Sequence, residues 1–102
     1  METIKFLNSL NVMYVEDDVE MCEKIQNIFG KIFNLTIIAT NGEEGIKKFI
    51  ECQNNGTQID VIISDINMPK ITGLEMIEKI KELDKDVPFI LTTAYSSSDY
   101  LL

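Results

Sequence analysis

Short apolar runs alternate with helix-patterned segments along this chain, and that alternation restricts the fold more than any other feature. Asn11–Val15 (NVMYV), Leu35–Ala39 (LTIIA), Ile59–Ser64 (IDVIIS) and Val87–Thr92 (VPFILT) read as four short strands bounded by turn residues. Between them, apolar residues recur at helical spacing: Val19, Cys22, Ile25, Phe29 and Ile32; then Ile46, Phe49 and Ile50; then Leu74, Ile77 and Ile80. Each stripe predicts a helix with one buried face. Asp18 or Asp17 can cap the first helix, Asn41 with Glu44 resembles a capping box for the second, and Thr72 can cap the third. Strict alternation of strand and helix implies an α/β fold, a parallel sheet with right-handed crossovers and helices on both faces. No repeat or linker interrupts the pattern, and Asn54–Gln58 (NNGTQ) reads as a polar loop.

Composition narrows the function. A chain of 102 residues is one domain, large enough for a core without staples. Seventeen acidic residues against nine lysines give a net charge of -8, with no basic stripe to hold a phosphate backbone, so direct nucleic-acid binding is not expected. The chain has no histidine, which excludes Ser-His and Cys-His nucleophile pairs and histidine-ligated zinc. No apolar run approaches the ~20 residues needed to span a membrane. The start, METIKFLNSLN, lacks the pattern of an export signal, so the expected location is the cytoplasm. Cys22 and Cys52, each set in a helical pattern, then read as reduced packing residues.

In parallel α/β sheets the loops at the carboxyl ends of the strands share one edge, where sites form. Three polar features fall there: Glu16, Asp17 and Asp18 after the first strand, Asp65 after the third, and Thr92 with Thr93 after the fourth. Each has an ordinary explanation on its own. The acids can cap a helix, Asp65 can serve the turn before Pro69, and Thr93 can bond backbone at a strand end. Three acids in a row exceed what a cap needs, however, and convergence raises the cost. Two carboxylates ~5 Å apart repel by about 3 kcal/mol at an effective dielectric of ~20. Such a cluster raises its pKa values or holds a hard cation. Oxygen-only donors suit magnesium, which leaves Asp65 ionised as a nucleophile, while a threonine hydroxyl can bond a phosphoryl oxygen. From the residues alone the site reads as a magnesium-assisted aspartyl-phosphate centre.

The chain resembles the receiver domain of bacterial two-component response regulators. The likeness rests on SDINMPKITG (Ser64–Gly73), on the acidic pair in MYVEDD (Met13–Asp18), and on Thr93 with Ala94 in ILTTAYS. It implies a flavodoxin-like, doubly wound sheet in the order 2-1-3-4. It also implies that Asp65 accepts a phosphoryl group from a phosphohistidine on a sensor histidine kinase. Mg2+ would be held by Glu16, Asp17 (more directly), Asp65 and the backbone carbonyl of Asn67. Thr93 and Ala94 would form the phosphoryl-sensing switch, Asn67 and Tyr95 would tune the lifetime of the phosphoryl group, and Asp18 would be a cap and not a ligand.

The resemblance covers Asn11 to about Leu102, a receiver domain over residues 1–102 that is incomplete at its C-terminus. The fifth strand, the fifth helix and a phosphoryl-contacting lysine of the family pattern are missing, and Lys70 is only the nearest cation in sequence. An apolar fourth strand left at the edge is a template for pairing, so the expectation is either self-association through it or a chain that is a trimmed piece of a longer regulator. Two other functions stay open at this point. One is a magnesium-dependent phosphohydrolase, although Asn67 stands where such enzymes carry a second aspartate as the acid. The other is a silent interaction module.

Overall fold

The computed structural model describes residues 2–68 and 70–92. Its elements are α1 (Glu2–Leu7), β1 (Asn11–Val15), α2 (Val19–Phe29), β2 (Leu35–Ala39), α3 (Gly42–Asn55), β3 (Val61–Asp65), α4 (Gly73–Leu83) and β4 (Phe89–Thr92). All strand pairs are parallel and the order is β2-β1-β3-β4, as the alternation and the resemblance imply. The register aligns the carboxyl ends: Val15 pairs with Ala39 and with Ser64, and Asp65 pairs with Thr92. The chain leaves β1 for β2 on one side and later for β3 on the other. A crevice therefore opens between β1 and β3, the point where such sheets hold ligands.

Alternation along β1 divides the packing between two faces. Met13 and Val15 join Phe49 and Cys52 of α3, Ile62 of β3, and Met76 and Ile80 of α4 in the main core. Tyr14 points the other way, where its ring meets Phe29 of α2 edge-on at 5.8 Å and Phe29 meets Phe33 at 5.1 Å. The caps form where the side chains allow. Asp18 accepts from the Glu20 and Met21 amides, and Thr72 makes a full capping box with Glu75. Asn41 accepts from the Glu44 amide, but Glu44 reaches back to the amide of Thr40 and not to that of Asn41. The box is shifted by one residue, and Lys48 pairs with the same carboxylate oxygen at 3.5 Å.

Several boundaries differ from expectation. The third strand starts at Val61 and includes Asp65, and the fourth starts at Phe89, so Ile59 and Val87 are buried in the approaches to the strands. Helix α3 extends through Asn55, so the expected loop begins later. Gly56 takes the left-handed conformation (φ 81°) and Thr57 donates to Cys52 O at 2.8 Å, a glycine-terminated helix end. Ile32 lies in the turn after α2. Val19, Ile50 and Leu74, read as stripe residues, are 61%, 38% and 54% exposed, whereas Met76 is fully buried. The short helix α1 has no counterpart in the sequence pattern, as six residues carry too little periodicity. No helix among the described residues is long and apolar enough to cross a membrane.

Candidate functional site

The carboxyl ends of β1 and β3 bring three acids together. Oxygen atoms of Glu16, Asp17 and Asp65 all lie within 4.8 Å of one another. Glu16 and Asp65 are buried and Asp17 is exposed, so the cluster opens to water on one side. The backbone builds this geometry closely. Glu16 donates its amide to Ala39 O at 3.0 Å and accepts the Asp18 amide on its carboxylate at 3.2 Å, which bends the chain into α2. Ile66 donates to Thr92 O at 3.0 Å, and Asp65 Oδ1 accepts the Asn67 amide at 3.2 Å.

Gly73 closes the loop after Asp65. Its amide donates to Ile66 O at 3.0 Å, and a Cβ there would stand 2.6 Å from Asp65 O. Only a residue without a side chain permits that approach. Lys70, in the same loop, is exposed and adopts a left-handed φ of 68°.

The electrostatics follow from the gathered charge. Burial, with the neighbouring Asp17 and Asp65 carboxylates, pushes the Glu16 pKa up to about 7. Burial and the charge of Glu16 likewise push the Tyr14 hydroxyl up to about 12 and raise the Cys22 thiol. Among the described residues the one ion pair is Lys48 with Glu44, so no lysine neutralises the three acids. A buried carboxylate that resists ionisation and two further carboxylates, all oxygen donors without a counter-cation, fit a hard divalent ion such as magnesium.

Glu16, Asp17 and Asp65 are thus brought together as read from the sequence, with Asn67 beside Asp65 and Asp18 turned to its cap. Thr93, Ala94 and Tyr95 lie outside the described residues; Thr92, directly before them, pairs with Asp65. Sequence reasoning missed two buried donors. Cys22 Sγ donates to Glu16 O at 3.1 Å, and Ser64 Oγ donates to Asp65 O at 2.9 Å. A serine inside an apolar strand, next to the key aspartate, was the available signal for one; nothing local marked Cys22.

Known proteins share this fold. The response regulator receiver domain family matches residues 12–102. A probable transcriptional regulator, ycf29, from Porphyra purpurea is 39% identical over 89 residues, 84% of this chain and 40% of its own length. Among solved structures, the N-terminal domain of an uncharacterized protein from Wolinella succinogenes is 35% identical with a TM-score of 0.75, covering 91% of this chain and 71% of that one. The CheX–CheY complex with BeF3 and Mg2+ from Borrelia burgdorferi is 32% identical with a TM-score of 0.73, covering 88% and 66%. The chain belongs to the response regulator receiver domains of two-component systems. It spans between 19% and 40% of the length of the curated regulators it resembles.

Proposed function

We propose that Asp65 is the phosphoacceptor and that a sensor histidine kinase is its donor. A carboxylate oxygen of Asp65 attacks phosphorus as the P–N bond of a phosphohistidine breaks. The bonding pair returns to the imidazole nitrogen, and an acyl phosphate forms on Asp65. Later attack of water on phosphorus restores the carboxylate and releases inorganic phosphate. The observation that carries this reading is the convergence of Glu16, Asp17 and Asp65 within 4.8 Å in the crevice between β1 and β3.

Glu16, Asp17 and Asp65, with the backbone carbonyl of Asn67, would hold Mg2+. The ion supplies charge neutralisation for the phosphoryl oxygens. The amide of Asn67 orients Asp65 by holding Oδ1, which leaves Oδ2 for attack. Thr93 with Ala94 would sense the phosphoryl group, Asn67 and Tyr95 would tune its lifetime, and the domain would catalyse its own phosphorylation and dephosphorylation without being a stand-alone enzyme. Residues 1–102 would act as one cytoplasmic receiver unit, and the edge of β4 would support self-association.

Intact-mass measurement after incubation with Mg2+ and acetyl phosphate, beside Asp65→Asn, tests the assignment. A phosphoryl adduct on the unsubstituted chain alone is the expected result. An adduct on both chains would move the acceptor elsewhere, and none on either, with both folded, would favour a silent module.

A further inference from the structure

The carboxylates of the site reach outward from two strand ends, and two buried side chains hold the backbone behind them. Cys22, 6% exposed in the first turns of α2, donates its thiol to Glu16 O at 3.1 Å. Ser64, fully buried at the end of β3, donates its hydroxyl to Asp65 O at 2.9 Å. Each contacts the backbone carbonyl of an acid in the cluster, one on the β1 side of the crevice and one on the β3 side. Neither touches the carboxylates through a hydrogen bond.

The geometry points to Cys22 and Ser64 as positioning residues that set the spacing of the Glu16 and Asp65 carboxylates for Mg2+. This inference rests on the reading of Glu16, Asp17 and Asp65 as the metal site. A carboxylate is carried by its own backbone, and a strand end free to rotate its peptide would spread the acids that repel one another. The Cys22 bond ties the peptide after Glu16 to α2, while the amide of Glu16, in the peptide before it, is held on Ala39 O of β2 at 3.0 Å. The Ser64 bond holds the carbonyl of the peptide after Asp65, and the amide of that peptide, on Ile66, donates to Thr92 O at 3.0 Å, so the peptide is held from both sides. Support from behind the ligands is a common determinant of metal affinity.

The test compares matched substitutions in the full chain: Cys22→Val and Ser64→Ala remove the donors, while Cys22→Ser and Ser64→Cys keep one. MgCl2 titrations followed by amide NMR shifts give affinity, and urea unfolding without metal gives stability. Cys22→Val and Ser64→Ala are expected to weaken Mg2+ binding roughly three- to tenfold each, with Cys22→Ser and Ser64→Cys close to the unsubstituted chain even where they lose stability. Equal Mg2+ affinity in all five chains, whatever their stabilities, would overturn the inference and leave the metal site standing. Affinity that tracks stability without regard to the donor would overturn it equally. No Mg2+ response in the unsubstituted chain would remove the metal site and the inference together.

Discussion

Glu16 resists ionisation in the folded chain. Its folded pKa of about 7 lies above the ordinary 4.5, so the folded chain keeps a proton that the unfolded chain releases. The contribution of Glu16 to stability is full below about pH 4.5, declines as pH rises toward 7, and is flat above. Urea unfolding without metal should show lower stability at pH 8 than at pH 5.5 from this group, and saturating Mg2+ should narrow the difference. Conversely, Mg2+ affinity should fall as pH drops from 8 to 6, because protonated Glu16 no longer attracts the ion. A flat affinity profile would mean that Glu16 is not a ligand. Asp17→Asn should lower Mg2+ affinity by more than roughly tenfold in the same titration. In metal-free buffer at pH 8, where Glu16 is ionised, it should also stabilise the fold by roughly 1 kcal/mol, since one of three mutually repelling charges is gone.

At the scale of elements, α4 shows how a periodic pattern can name the right helix and place its buried face off by part of a turn, with Ile80 in the core and Leu74 out of it. Leu74, Ile77 and Ile80 form an i, i+3, i+6 series that drifts around the helix, whereas the buried set is Gly73, Met76 and Ile80. Met76→Ala should cost about 2–5 kcal/mol and Leu74→Ala less than about 1 kcal/mol, measured as shifts of the urea midpoint at constant slope. Thr72→Ala, which removes the capping box, should cost about 1 kcal/mol by the same measurement. The start of α4 also borders the candidate site, because Gly73 packs on the backbone of Asp65. Gly73→Ala should reduce the rate of phosphorylation by acetyl phosphate as well as stability, since the 2.6 Å approach can be relieved only by moving that backbone. Caps were legible because Asp18, Asn41 and Thr72 act on amides two or three residues away. The reach of Glu44 to Thr40 was not, because it depends on how the chain turns from β2 into α3.

The whole sheet has two edges among the described residues, and they are treated differently. On β2, Lys48 Nζ donates to Ile38 O and Glu44 accepts the Thr40 amide at 2.8 Å, so side chains of α3 occupy outward-facing backbone groups. Side chains that occupy an edge in this way discourage strand addition. On β4, Ile90 is 52% exposed. Sedimentation equilibrium should therefore show concentration-dependent mass that Ile90→Lys returns to the monomer value. One monomer mass at every concentration would rule out pairing through β4.

The sequence by itself determined the alternation of strands and helices, the caps, and the three acids at strand ends, because each depends on neighbours a few residues away or on spacing along the chain. The reading of Asp65 drew on the stretch from Ser64 to Gly73 together with the acids after the first strand and the threonine pair after the fourth. The tertiary structure decided what depends on residues distant in sequence: that Met76 and not Leu74 faces the core, that Cys22 and Ser64 bond the carbonyls behind the acids, and that burial raises the Glu16 pKa. Burial and electrostatic coupling arise only when separate segments exclude water together, and so no local pattern encodes them.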